Sequence, residues 1–424
     1  MKHVPFWVDD HPRPGGLTSD LPQQTDYLIV GSGLTGLSAA MRLSTSGERV
    51  TVIDAGEIAS GASSINGGMV SPDVKAGIDT IYATYGPKIG HDMWQSTMRS
   101  VELVRELAKR PDIDALTHEA GMAALGRGPK KLKEFDRTVA WYRNKFGVDW
   151  RVHDARDIAE LVGGDSFNVA MYEPEGFGVH PARLAFGLAR LVHSLGVTLV
   201  DGCEATAMEK TTSGLRVQTS QGEIQARDVI LATNGYTTRR PSRELARLVV
   251  PIGSYIVVTE PVGEQRAKRV FPTGAMTYTR KRLLHYMRRT HDDRILLGGR
   301  RSLHTGLDLN DSGADLRNAL VGYWPELEDV AITHVWGGKL AVPFDLTPHI
   351  GRVEGAWYAV GYAGHGVGLS CQLGHELAGM LLGEDPPSVY SQIAHNVRFY
   401  YTGGKPWFLT PASHLYRLLD KIGT

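Results

Sequence analysis

Cysteine is scarce: Cys203 and Cys371 are the two in a chain of 424 residues. A disulfide scaffold and any cysteine-based zinc or iron–sulfur site are thereby excluded. Net charge is absent as well, since 46 Lys and Arg balance 46 Asp and Glu. That removes the electrostatic case for a dedicated nucleic-acid or anionic-membrane binder. Long apolar runs are missing too. No stretch reaches about 18 uninterrupted apolar residues, and the best candidate, 248–258, is broken by Pro251, Gly253 and Ser254. Residues 1–25 carry Pro5, Pro12, Pro14 and Pro22 but lack the basic start and apolar core of a signal peptide. No membrane segment and a cytoplasmic location are expected. None of the 16 histidines falls in a metal-ligand pattern, so no metal is expected. Glycine is the exception, with 49 residues against a typical share of roughly 7%. Glycine serves where backbone turns sharply or approaches a ligand closely, so the positions of its clusters are informative.

The first cluster follows a short apolar run, Asp26–Val30, which reads as a strand buried on both faces. Gly31-Ser32-Gly33-Leu34-Thr35-Gly36 then matches G-x-G-x-x-G, Leu34–Ser46 reads as a helix, and Gly47 ends it. Arg49–Ile53 is a second apolar strand, closed by Asp54 and followed by Ala55. Gly31 permits the tight turn, Gly33 lets backbone approach a pyrophosphate, and Gly36 lets the helix pack close to the strand. The helix N-terminus offers unpaired N–H groups to phosphate. Asp54 is placed to accept hydrogen bonds from a ribose. Strand, motif, helix, strand and acid in this order predict dinucleotide binding, although the motif alone does not separate NAD from FAD.

Three later segments point to FAD. Ser60–Met69 (SGASSINGGM) is a small-residue loop directly after the ribose acid, and Gly61, Ala62, Ser63, Asn66, Gly67, Gly68 and Met69 are placed to wrap the flavin side of a long dinucleotide. Val229–Gly235 (VILATNG) resembles a strand returning to the cofactor sheet, with Thr233 and Asn234 at its end. Ala205 is expected near the adenine. Trp357–Val360 runs into Gly361-Tyr362-Ala363-Gly364-His365-Gly366-Val367-Gly368 and a helix over Leu369–Leu382. A helix N-terminus aimed at a flavin stabilises negative charge on the reduced ring. His365 is read either as a turn residue capping that helix or as a catalytic imidazole. The backbone of 364–367 is the favoured contact.

Together, GSGLTG, SGASSINGG, LATNGY and GYAGHGVGLS resemble the D-amino-acid-oxidase-type FAD enzymes, the family of glycine and sarcosine oxidases. The resemblance runs from about residue 26 to the C-terminus and is greatest to the γ-glutamylputrescine oxidoreductase branch, whose motifs read GASGRNGG and GYSGHG. It implies a two-electron oxidation of a C–N bond: a neutral amine beside the flavin loses hydride from its α-carbon to flavin N5, and the imine is hydrolysed. The protein's part is positioning, with no strong general base required.

Where the chain departs from the family, substrate information appears. The amino-acid oxidases clamp the substrate carboxylate with an Arg four residues after a Trp; after Trp336 that position here is Leu340, which cannot pair with a carboxylate. An amine without an α-carboxylate is favoured. Lys339 is adjacent, but alternation points it the other way. The lysine that activates oxygen in sarcosine oxidase matches Leu296, which leaves dehydrogenase activity open, and the Arg of GASGRNGG is Ile65. The cofactor loop contains no Cys or His, so non-covalent FAD is expected, and Cys203 and Cys371 read as inert buried thiols. Strands over Pro251–Glu260, Arg282–Arg288 and Arg294–Gly298 should roof the flavin, with Tyr255, His285, Tyr286 and Trp336 as pocket residues. Tyr255, Trp336, Lys339 and His365 are the candidate catalytic side chains. Eight Lys and Arg against two Asp between Arg280 and Arg301 read as the solvated face of a hairpin.

The predicted fold is α/β: a Rossmann-like FAD-binding domain with a parallel sheet, plus a discontinuous α+β substrate domain with a mainly antiparallel sheet. The expected division is an N-terminal arm over 1–25, the FAD-binding domain over 26–75, 178–238 and 345–396, the substrate domain over 76–177 and 239–344, and a C-terminal extension over 397–424. Helices are expected over His91–Lys109 and Lys130–Lys145. The expected partners are a small-molecule amine and oxygen or another electron acceptor. An oxidase of secondary or N-methyl amino acids is the alternative, with a cation from Arg280–Arg289 holding the carboxylate. A non-catalytic flavoprotein subunit is the minor one. A plain NAD dehydrogenase leaves the three later motifs unexplained.

Overall fold

The computed structural model describes residues 1–300 and 302–422. Arg301, the last member of the basic run, lies outside them. Two eight-stranded sheets organise the chain. In the first, Gln24–Val30 lies parallel between Gly222–Leu231 and Val50–Ile53. Thr198–Val200 extends the sheet beyond Val50–Ile53, and Ala356–Val360 extends it beyond Gly222–Leu231, both in parallel. The central strands are buried on both faces, as parallel strands flanked by helices must be. The strand expected to begin at Val229 starts earlier, and Gly222–Leu231 is one continuous strand. Exposed and buried residues mix up to Asp228, where a hairpin pairs with the strand, and burial is complete from Val229 on.

The predicted first helix is α-helical over Leu34–Leu43 and tightens to a 3₁₀ turn over Ser44–Ser46 before Gly47 at φ 76°. It packs directly on Gly366–Leu382, where Ser38 Oγ donates to the Cys371 carbonyl at 2.7 Å. A Cβ on Gly374 would sit 2.2 Å from the Thr35 carbonyl oxygen, so this crossing needs bare backbone.

The second sheet runs in the order Ile332–Val342, Val250–Thr259, Ile295–Gly299, Tyr286–Arg289, Met276–Thr279, Met122–Gly126, Val169–Glu173, Arg151–His153. It is antiparallel except where Met276–Thr279 meets Met122–Gly126. Strand alternation gives it two faces. Tyr255, Val257, Met287, Leu297 and Val335 fill one apolar core with Leu316 and Leu320 of helix Leu309–Tyr323. Ser254, Ile256, Tyr278, Tyr286, Trp336 and Leu340 face the other way, toward the first sheet's motifs. Helices Pro87–Lys109 and Pro129–Phe146 enlarge the two predicted ones, each starting on a proline whose missing N–H has no intrahelical partner to lose.

Residues 1–25 are not a detached arm. Phe6 and Trp7 of the short helix Phe6–Asp10 are buried in the main core, and the first strand already begins at Gln24. Among the described residues no helix is long and apolar enough to cross a membrane.

Candidate functional site

A groove of about 440 Å³ runs along the C-terminal ends of the parallel strands, where open α/β sheets bind ligands. Gly31, Gly33, Leu34 and Thr35 line it, as do Asp54, Ala55, Gly61, Ala62, Ser63 and Asn66. So do Ala205, Thr233, Asn234, Gly364, Gly366 and Val367. Sixteen residues from separate stretches of the chain thus meet in one trough. Ser32 and Gly36 support it from behind. Ser32 donates to Asp54 Oδ2 through its N–H at 2.8 Å and its hydroxyl at 2.6 Å, and Gly56 N–H reaches Oδ1 at 2.9 Å. The Asp54 carboxylate is therefore fixed at the groove. A Cβ on Gly36 would lie 2.0 Å from the Gly31 carbonyl oxygen, and one on Gly31 would lie 2.8 Å from that of Ala232. Only bare backbone fits this turn, and the helix that follows begins at the groove, with its Leu34 N–H donating to the Ser63 hydroxyl at 2.9 Å.

The expected loop after Asp54 contains a helical turn, Ala62–Ile65. The four carbonyls that follow are each pinned. Trp336 Nε1 donates to Ile65 O at 2.7 Å and Trp7 Nε1 to Asn66 O at 2.8 Å. Arg288 donates to Gly67 O and Gly68 O, and to Val179 O at 2.9 Å. The Asn66 side chain closes the motif, accepting from Gly68 N–H at 2.7 Å and donating to Ala62 O and Ser63 O. Gly68, at φ 66°, faces Val179 and lines neither cavity. Arg288 is buried, and burial pulls its guanidinium down to about 10. The basic run is thus a solvated face only in part: Arg280, Lys281 and Arg282 are exposed, and the later members turn inward or pair. Arg288 points inward, Arg289 and Arg294 pair with Asp293 and Asp292, and Arg300 reaches a cavity. Trp7 and Arg288 were not among the residues expected at the site. Their signals were the apolar pair Phe6-Trp7 within a proline-rich arm and the inward phase of position 288 on its strand.

The groove opens into a second cavity of about 160 Å³. Ala62, Asn66, Lys339, Leu340, Ala363, Gly364 and Val367 border both spaces. Gly67, Met69, His365, Tyr286 and Trp336 line the second. The expected role of Tyr255 does not survive. Its side chain lies on the opposite face of the sheet, where its hydroxyl accepts from Leu307 N–H at 2.7 Å. His285 is there too, with Nδ1 2.8 Å from the Tyr323 hydroxyl. Alternation along the strands is the reason: Ser254 and Ile256 take the cavity side and Tyr255 the core side. Lys339 is exposed, with its ammonium 5.3 Å from the Tyr236 ring centroid at the rim. His365 occupies the N-cap position of Gly366–Leu382, a helix starting three residues before the expected Leu369, yet its side chain makes no capping bond. Its Nδ1 is buried without a partner, and burial, with Lys75 nearby, pulls its pKa down to about 3. It is a neutral imidazole at physiological pH.

The cavity roof also carries acids that had not been expected there. Glu173 accepts the Tyr278 hydroxyl at 2.7 Å, and burial raises it to about 8. Burial likewise raises Asp73 to about 7. Leu296 is fully buried and lines neither cavity. Cys203 and Cys371 are buried away from both spaces, and burial pushes Cys371 up to about 12.

The family model described as DAO: FAD dependent oxidoreductase matches residues 26–380. The chain is 28% identical to γ-glutamylputrescine oxidoreductase of Escherichia coli, covering 94% of this chain and 93% of that protein. It is 27% identical to the probable oxidoreductase OrdL of Haemophilus influenzae, with 86% and 84% covered. Glycine oxidase of Geobacillus kaustophilus is 25% identical over 81% of this chain and 89% of its own length. The crystal structure of glycine oxidase from that organism shares the fold at a TM-score of 0.75 and 21% identity, covering 88% of this chain and 100% of that one.

Proposed function

This chain belongs to the DAO family of FAD-dependent oxidoreductases acting on amines or amino acids, and within it we propose that the protein oxidises the C–N bond of an amine whose reacting carbon bears no carboxylate. The observation that carries this reading is Leu340. It borders both the dinucleotide groove and the roofed cavity, and it puts an apolar side chain where a carboxylate anchor is needed. The bare turn at Gly31–Gly36, the fixed Asp54 and the pinned 65–68 loop suit a long dinucleotide, with the flavin end at the junction of the two spaces.

When bound, FAD supplies a two-electron acceptor for the C–H bond beside nitrogen, water hydrolyses the resulting imine to a carbonyl compound and an amine or ammonia, and oxygen (giving hydrogen peroxide) or another acceptor restores the oxidised cofactor. The residues act by position. Trp336, Trp7 and Arg288 hold the 65–68 backbone rigid against the ring site. The N-terminus of Gly366–Leu382 directs its dipole there and favours negative charge on the reduced ring. Neutral His365 adds no charge that would repel a cationic substrate. Trp336 is a positioning residue, and Lys339 closes the rim with Tyr236.

Anaerobic mixing of the yellow holoenzyme with amines and amino acids tests the reading. Bleaching by a primary amine but not by sarcosine or glycine is expected. Bleaching by glycine or sarcosine alone would refute it. Admitting air and assaying peroxide then separates oxidase from dehydrogenase.

A further inference from the structure

Exposed apolar side chains are unevenly spread over this protein. Six of the twelve large ones among the described residues lie in 397–418, and a seventh, Tyr236, stands at the rim of the dinucleotide groove. Phe399 is 92% exposed and Trp407 63%. The helix Leu409–Ile422 has two sides. Leu409 and Tyr416 pack inward with Val250, Ile252 and Leu303, and the Ser413 hydroxyl accepts from Leu303 N–H at 3.0 Å. Leu415 and Leu418 stand on the other side, each more than half exposed. The segment is held in place. The Tyr401 hydroxyl donates to Val249 O at 3.2 Å, and Arg239 donates to Thr402 Oγ1 at 2.9 Å. Asp420 accepts from the N–H groups of Arg282 and Leu283 at 3.0 and 2.9 Å. A fixed surface thus presents apolar side chains to the outside.

A contiguous exposed apolar patch marks an interaction site, and the charges around this one say what covers it. The segments 236–247, 281–284 and 397–420, which these bonds draw together, hold nine Lys and Arg against two acids. Arg239, Arg240, Arg282, Arg398, Lys405 and Arg417 are exposed, and Asp420, one of the two acids, is engaged by backbone N–H groups. The zero net charge of the whole chain averages over this asymmetry. Aromatic and leucine side chains beside Arg and Lys fit the two layers of an anionic lipid surface. Headgroup phosphates suit the cations, and the boundary with the acyl chains suits the rings. A symmetric contact with a second copy sets cations against cations. We propose that 397–418, with the basic residues beside it, is a peripheral docking surface for an anionic phospholipid bilayer. Phe399, Trp407, Leu415 and Leu418 enter the headgroup–acyl boundary, while Arg239, Arg240, Arg398 and Lys405 take lipid phosphates. A basin beside the patch is lined by Tyr236, Arg240, Lys339, Tyr401 and Gly403, and it shares Tyr236, Arg240 and Lys339 with the dinucleotide groove. Docking therefore sets the rim of that groove beside the lipid surface.

The test is flotation of the holoenzyme with vesicles of phosphatidylcholine, either alone or with about one third phosphatidylglycerol. Binding to the anionic vesicles is expected to exceed that to the neutral ones about tenfold or more, and to weaken as salt rises from about 0.05 to about 0.5 M. Phe399→Ser combined with Trp407→Ser is expected to weaken binding to the anionic vesicles about tenfold or more. Arg398→Glu combined with Lys405→Glu is expected to remove the preference for the anionic lipid. Both pairs of changes are on the surface and outside the cofactor groove, so without vesicles the bound-flavin spectrum and the melting temperature should equal those of the parent. No retention on the anionic vesicles overturns the proposal. If gel filtration then shows a dimer that the Phe399→Ser and Trp407→Ser changes dissolve, the face belongs to a second copy of this chain. Equal retention by the two kinds of vesicle, or unweakened binding by the Phe399→Ser and Trp407→Ser variant, overturns it as well.

Discussion

Glu173 makes the stability of this protein depend on pH in a direction opposite to that of most surface carboxylates. Its carboxyl is buried and raised from 4.5 to about 8, first by loss of water and then by the neighbouring Asp73 and Glu175, against the Tyr278 hydrogen bond. Below pH 4.5 the group is protonated in the folded and unfolded chain alike, and it costs nothing. Between 4.5 and about 8 the unfolded chain releases the proton while the folded one keeps it, so stability falls by about 1.4 kcal/mol per pH unit. Above about 8 the full penalty, on the order of 5 kcal/mol, is present. Glu173→Gln keeps the shape and the acceptor for Tyr278 but cannot ionise. The variant should therefore melt within about 1 °C of the parent at pH 5 and about 5 °C above it at pH 8.5, given an unfolding entropy of roughly 2.1 cal/mol/K per residue. The assay is release of flavin fluorescence on heating the holoenzyme across that pH range. A difference in melting temperature that stays constant from pH 5 to 8.5 would refute the argument that Glu173 is buried in its protonated form.

Three further outcomes follow from the site. Asp54→Asn should weaken FAD binding about 10- to 100-fold in a fluorescence titration of the apoprotein, because the carboxylate is held at the groove by Ser32 and Gly56 and charged hydrogen bonds are the strong ones; unchanged affinity would remove Asp54 from the cofactor site. Arg288→Met should release the Gly67 and Gly68 carbonyls and give soluble protein that loses yellow colour on dialysis, whereas full retention of FAD would show that the loop holds itself. Leu340→Arg should bring in bleaching by glycine or sarcosine and weaken that by simple amines; an unaltered substrate profile would show that position 340 does not select against carboxylates.

Much of the site was legible because its chemistry is local. The turn at Gly31–Gly36, the acid at Asp54, the small-residue segment 60–69 and the glycines around 364 are short runs whose backbone demands are written in consecutive residues. The alternation that sends Leu340 inward and Lys339 outward was equally readable, since it follows from the pleat. The same rule, applied to Pro251–Glu260, gives two faces without saying which one meets the cofactor, and Tyr255 was assigned to the wrong one. Phase is local, but the identity of the covering layer is not.

By itself, the sequence determined the nucleotide-binding frame and the family, and it put a leucine at position 340, because each depends on residue types at fixed short spacings. Only the tertiary structure decided what surrounds the reacting space. Trp7 comes from the N-terminal helix, Arg288 from a central strand of the second sheet, and Glu173, Asp73 and Arg300 from three separate segments. These residues are far apart along the chain and share no motif. Their charge state and partners arise from burial, and burial depends on which elements come to lie over one another.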